Sequence, residues 1–158
     1  MEKTTLKLGE ILELESEING FTSPQTGDVI FEGFLKLNLD IVLKYELTDF
    51  SSELTNERKK VEGLRDELIK KYGEDDGSGG IVVKMYNEVT DDNGEVISKT
   101  FNENYIKFDE EYGTLLNTDK EIEYPEITKE DLKAAGKTKD KYKVLFKLLK
   151  KEKKEGTN

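Results

Sequence analysis

From Phe34 to Tyr72 the chain reads as one unbroken amphipathic helix, and this stretch constrains the fold more than any other. Leu35, Leu39, Leu43, Leu47, Phe50, Leu54, Val61, Leu64, Leu68 and Tyr72 recur at steps of three, four and seven. Those steps keep them on one stripe of a 3.6-residue helix. At 1.5 Å per residue the helix would run roughly 55–60 Å, about twice the width of a compact domain of this size. A rod that long must find apolar cover elsewhere in its own chain or on another chain. The expectation is a protein that presents a surface to partners.

The flanking segments supply further elements. Leu6 to Ile18 carries Leu8, Ile11, Leu12, Leu14 and Ile18 on a helical face, and Asn19-Gly20 stops it because either residue accepts a left-handed C-terminal conformation. Phe21 to Gly33 is turn chemistry with Val29-Ile30-Phe31 as a short extended piece. After the long helix, Glu74 to Gly80 reads as a flexible acidic turn. Ile81–Tyr86 and Glu95–Lys99 then read as antiparallel mates around Thr90-Asp91-Asp92-Asn93-Gly94, since Asn-Gly tolerates the positive φ of tight turns. Phe101, Tyr105, Phe108, Tyr112 and Leu115 form an aromatic stripe on a helix from about Phe101 to Leu116, spaced to cover part of the long helix as an antiparallel hairpin. Glu121–Tyr124 alternates as a short strand or extended lead. Thr128 and Asp131 mark a helix start that runs to near Gly136, and a last basic helix is expected from about Lys139 to Lys151.

The chemistry available is narrow. The 158 residues contain no cysteine and no histidine, which removes disulfides, thiolate chemistry, the usual general base and the commonest metal ligands. Hydrophobic content of 34% against 38% charge fits a modest core with much solvated helix surface. No apolar run approaches the length of a membrane span and no signal peptide is expected at the start of the chain. Gly77-Ser78-Gly79-Gly80 lacks the Gly-Lys-Ser/Thr ending of a phosphate loop and follows three acids, so it is read as a loop. Counting an EF-hand from Asp75 puts Gly77 and Gly79 where ligands belong, and counting from Asp91 puts Val96 at the invariant glycine. Acid pairs such as Glu53/Glu57, Glu62/Asp66 and Glu110/Glu111 reflect abundance, not a placed catalytic dyad. No enzyme, cofactor or metal is expected.

The net charge of −10 is unevenly spread. Residues 129–158 carry +6, with 11 Lys, and the preceding 128 residues carry −16. The body should repel nucleic acid and the basic segment should attract anions. Lys137, Lys139, Lys141, Tyr142, Lys143, Phe146 and Lys147 are therefore the candidate interaction surface. The competing reading is an amphipathic helix that docks its aromatics on the body and turns its lysines to water. The expected class is α+β, mainly α. It comprises a long antiparallel helical hairpin, residues 1–136 with a β-hairpin inserted at about 81–100, and a basic helix with frayed tail at 137–158.

The order "LGEILELESEING", "FLKLNLDIVLKYELTDF", "ELTNERKKVEGLRDELIKKYGEDD" and "FNENYIKFDEEYGTLLNTDKEIEYPEI" resembles small proteins encoded by tailed bacteriophages, over about residues 6–130. That family has no assigned activity, so the resemblance transfers no functional residue. It implies a phage origin and a helical hairpin core, and a location in the virion or the host cytoplasm. The expected function is non-catalytic protein–protein contact with a phage or host protein, as a minor virion component or assembly factor, with homo-oligomerisation a further option. The alternative is an acidic inhibitor that mimics nucleic acid along the 53–76 face and blocks a host nucleic-acid-processing enzyme. Direct nucleic-acid binding is expected only if the basic 137–154 segment carries it.

Overall fold

The computed structural model describes residues 1–134 and 136–149, with the backbone alone at 137–139. In chain order the elements are strand β1 (Glu2–Lys7), helix α1 (Leu8–Asn19), strands β2 (Gly20–Thr22) and β3 (Val29–Glu32), and a 3-10 turn at Phe34–Lys36. Helix α2 (Ile41–Tyr72) and strands β4 (Glu74–Asp75), β5 (Ile81–Val82), β6 (Tyr86–Thr90) and β7 (Val96–Phe101) follow. Then come helix α3 (Glu103–Leu116), strand β8 (Asp119–Tyr124), helix α4 (Lys129–Lys133), a second 3-10 turn (Gly136–Lys141) and helix α5 (Lys143–Leu148). The class is mixed α+β. Its described strands form four separate two-stranded antiparallel sheets, β1-β8, β2-β3, β4-β5 and β6-β7.

The chain divides into two compact units, one of Met1–Arg58 with the residues from Asp119 on, the other of Lys59–Thr118. The first holds nearly all of the core. Leu8, Ile11, Leu14 and Ile18 recur at three and four along α1 and are buried, as their period requires. The helix begins at Leu8, not Leu6, because Glu2–Lys7 pairs with β8 in register from Glu2↔Tyr124 to Lys7↔Asp119. Glu10 caps the start of α1 by accepting the Lys7 backbone N–H at 3.0 Å. Gly20, with φ of 71°, ends it, as the Asn-Gly pair predicts.

Helix α2 packs against α1. Its buried positions Leu43, Leu47, Phe50 and Leu54 step by four, three and four. Beside them Ser51 Oγ donates to Asn19 Oδ1 at 2.6 Å, and Arg58 Nε donates to Glu15 Oε2 at 2.6 Å. Arg58 Nη2 also reaches the Leu12 carbonyl and Ser16 Oγ, at 2.7 and 2.8 Å. The long helix starts seven residues later than its periodicity suggests. Asp40 is the reason: its carboxylate accepts the Val42 and Leu43 N–H groups at 2.9 and 3.3 Å, satisfying donors that a helix leaves free only at its N-terminus. Phe34 sits instead in the 3-10 turn, wholly buried.

The C-terminal segment departs most from expectation. A continuous helix from Lys139 is replaced by the second 3-10 turn and the short α5, with Tyr142 between them at φ −99° and ψ 62°. Tyr142 breaks the helix because its ring fills the core, 5.4 Å from Phe31 and 5.6 Å from Phe34 between centroids, and its hydroxyl donates to the Glu32 carbonyl at 3.1 Å. The short helix α4 has the expected cap. Thr128 Oγ1 accepts from the Asp131 N–H at 3.2 Å, and Asp131 Oδ2 accepts the Thr128 N–H at 2.8 Å. The expected frayed tail, from residue 150 on, lies outside the described residues.

The second unit is built from the last turns of α2, the sheets β4-β5 and β6-β7, and α3. Ile81 does not lead into the long hairpin. Ile81–Val82 folds back on Glu74–Asp75, because the acidic glycine stretch is itself a tight turn: Asp76 Oδ1 accepts from Ser78 N, Ser78 Oγ and Gly80 N. The hairpin with the Asn-Gly tip is instead Tyr86–Thr90 with Val96–Phe101. Phe101 ends that strand and pairs its ring with Tyr86 at 4.9 Å, so it is not on α3. Asn102 starts α3 by accepting the Asn104 N–H at 2.9 Å.

Candidate functional site

The residues singled out as a basic interaction surface are distributed unequally. Lys137 and Lys139 lie in the second 3-10 turn, with side chains outside the described set. Tyr142 is only 1% exposed and belongs to the core. Lys147 is paired with Glu10, which holds its ammonium above the usual lysine range and, together with the Lys7 backbone amide, holds the Glu10 carboxyl below its own. Lys141, Lys143 and Phe146 remain exposed. The Lys141 ammonium stands 5.5 Å from the Phe31 ring centroid, within cation–π range. Lys141 and Lys143 line a groove of about 580 Å³ in the first unit, floored by Leu12, Phe21, Ile30 and Phe31.

A residue that sequence reasoning passed over organises this region. Glu17 lies on the apolar face of α1 between Leu14 and Ile18 and is buried with them. Its two carboxylate oxygens accept the Val144 and Leu145 N–H groups at 2.9 and 2.7 Å, so it closes the start of α5. Burial pushes its carboxyl above the usual range, and the backbone amides of Leu145, Val144 and Lys143 partly offset that. The available signal was a carboxylate at a core position of the helical period. A buried acid requires partners, but the sequence does not say that they come from the chain's far end.

The second unit shows the opposite property. Val61 is its one fully buried apolar side chain. Every residue of β6 and β7 is exposed, and α3 buries none of its residues fully. Ile97 is 65% exposed, Phe101 60%, Val89 55% and Ile106 44%. The stripe residues Tyr105, Phe108, Tyr112 and Leu115 are only half-buried. Between α2 and α3 lies a groove of about 430 Å³ lined by Leu64, Leu68 and Leu115 and closed at one side by the Lys71–Glu111 pair at 3.1 Å. A two-stranded hairpin with neither face covered is marginal in water. Ile97 and Phe101 lie on one face of that hairpin and Val89 on the other, so each face presents apolar groups that another molecule could cover.

Among the described residues no group of three or more metal-ligating side chains stands together, and no helix is long and apolar enough to cross a membrane. Compared with known protein families, curated proteins and solved structures, the chain finds no match.

Proposed function

We propose that the protein acts without chemistry of its own, by protein–protein contact, and that the Lys59–Thr118 unit supplies the contact surface. The observation that carries this reading is the β6-β7 hairpin, a sheet whose two faces and two edges all lie open while Ile97, Val89 and Phe101 stand more than half exposed. The last turns of α2 and the α3 helix, read together as an antiparallel helical hairpin, extend that surface through Ile106 and the α2–α3 groove. The unit carries 14 acids against 8 bases, so the partner face it suits is apolar at the centre and basic at the rim. The resemblance to small tailed-phage proteins sets the proposal in a phage particle or its assembly.

The alternative, an inhibitor that imitates nucleic acid along residues 53–76, has less support. Along α2 the acids Glu53, Glu57, Glu62, Asp66 and Glu67 interleave with Arg58, Lys59, Lys60, Arg65, Lys70 and Lys71, so the helix does not offer an uninterrupted line of carboxylates.

The test is site-specific photo-crosslinking during infection, with the reactive group at Ile97 or Ile106 and, as control, at the exposed Tyr45 of the first unit. Cross-links from the two unit-two positions to a phage structural or assembly protein are expected. Cross-links confined to Tyr45, or none from any position, would overturn the proposal.

A further inference from the structure

The chain has two Asn-Gly pairs, and the structure places them in opposite situations. At Asn19-Gly20 the side-chain amide is held on three sides. Asn19 Nδ2 donates to Glu15 Oε1 at 3.1 Å and to Thr55 Oγ1 at 3.4 Å, while its Oδ1 accepts from Ser51 Oγ at 2.6 Å. The Gly20 N–H is engaged by the Ser16 carbonyl, and a side chain at Gly20 would run into the Gly33 backbone nitrogen and the Phe31 carbonyl. At Asn93-Gly94 nothing comparable is present. Asn93 is exposed, its side chain makes no hydrogen bond, and the space around Gly94 is open. Gly94 has φ of 81° and donates its N–H to the Asp91 carbonyl at 3.0 Å, at the tip of a two-stranded hairpin that opens locally at little cost.

We infer that Asn93 is a self-modification site of the folded protein, converting to aspartate and isoaspartate, and that Asn19 is protected by its packing. The step needs only the chain and water. When the Gly94–Asp91 bond opens, the Gly94 backbone nitrogen attacks Asn93 Cγ and loses its proton to solvent. A C–N bond forms, the side-chain amide leaves as ammonia, and a five-membered cyclic imide results. Water then adds at either imide carbonyl and breaks one C–N bond, leaving a carboxylate on the side chain or on the rerouted main chain. Glycine favours the ring because no Cβ crowds the attacking nitrogen.

The consequence falls on the hairpin. Asp91 Oδ1 accepts the Asn93 and Glu95 N–H groups, each at 2.9 Å, and this clasp fixes the turn. A new carboxylate beside Asp91, Asp92 and Glu95 adds like-charge repulsion. The isoaspartate form also inserts a methylene into the main chain where turn length fixes strand register.

The experiment is peptide-resolved mass spectrometry of the full chain, aged in mildly alkaline buffer and, in parallel, in guanidinium chloride, with isoaspartate scored by fragmentation. In buffer Asn93 should convert while Asn19 reacts at least about a hundredfold more slowly, the suppression expected when a group reacts only after near-global unfolding. In guanidinium the two sites should react at similar rates. Asn93 remaining intact in buffer over a time in which both sites convert in guanidinium would overturn the inference. So would equal conversion of Asn19 and Asn93 in the folded chain.

Discussion

Glu17 on α1 accepts the backbone N–H of Leu145 at 2.7 Å, joining positions 128 apart in the chain. One carboxylate thereby serves as the N-terminal cap of a helix it does not belong to, and with Val144 it satisfies two amides that α5 cannot satisfy internally. The short α5 has no side-chain cap of its own.

Glu17→Ala should therefore cost about 2–6 kcal/mol, since it leaves two buried N–H groups unsatisfied at about 1–3 kcal/mol each. Urea denaturation would show it as a lowered midpoint.

The two paired carboxylates of α1 predict opposite pH responses. The folded-state value of Glu17 is raised by burial, so the folded chain binds that proton more tightly than the unfolded one. The proton-linked part of its contribution is whole below the ordinary value of 4.5 and is lost as pH rises through the raised value. Glu10 is lowered, first by the Lys147 hydrogen bond and then by the Lys7 amide, so its contribution is present above 4.5 and is lost as pH falls through the lowered value. Denaturation midpoints across the acid range should lose the first dependence in Glu17→Gln and the second in Glu10→Gln.

Tyr142 separates packing from hydrogen bonding. Tyr142→Phe keeps the ring between Phe31 and Phe34 and loses the hydroxyl's bond to the Glu32 carbonyl, a loss of about 0.5–1.5 kcal/mol. Tyr142→Ala empties the site and should cost about 3–5 kcal/mol, as large aromatic truncations do. Calorimetric unfolding of the two variants should give this ratio.

Glycine substitution should change sign along the chain. A Cβ at Gly33 would strike the Ile18 carbonyl and the Gly20 nitrogen, backbone atoms that cannot swing aside, so Gly33→Ala should destabilise by about 1–3 kcal/mol. At Gly63, in the middle of α2, a Cβ meets nothing within 4 Å, and Gly63→Ala should stabilise by about 0.5–1 kcal/mol. Thermal midpoints measured side by side would test the contrast.

Local chemistry was legible in the sequence and long-range pairing was not. The Asn-Gly end of α1, the Thr128–Asp131 cap and the turn at Asp91–Gly94 all rest on residues within four positions of each other, and each stands where expected. Strand β1 escaped notice because its partner lies beyond residue 118 and no turn signal links them. Leu35 and Leu39 keep the helical period ahead of the helix, but Asp40 caps its start after them, and a cap outweighs a stripe. Of the two aromatics in the candidate surface, Tyr142 docks on the body as the amphipathic reading expects, and Phe146 stays exposed. A two-stranded hairpin is marginal alone and is expected to rest on the helices or on a partner, yet every residue of β6 and β7 is exposed.

Glu57 and Lys120 face each other at 3.5 Å, beside the two points, Arg58 and Asp119, where the first unit's chain breaks off and resumes. From that unit's standpoint residues 59–118 are a detour that returns to its own doorstep. Such a detour can be lengthened, recoded or exchanged while the ends it must meet stay fixed. Residues 59–118, which bury little beyond Val61, are thus held by fewer packing demands than the unit that receives their two ends.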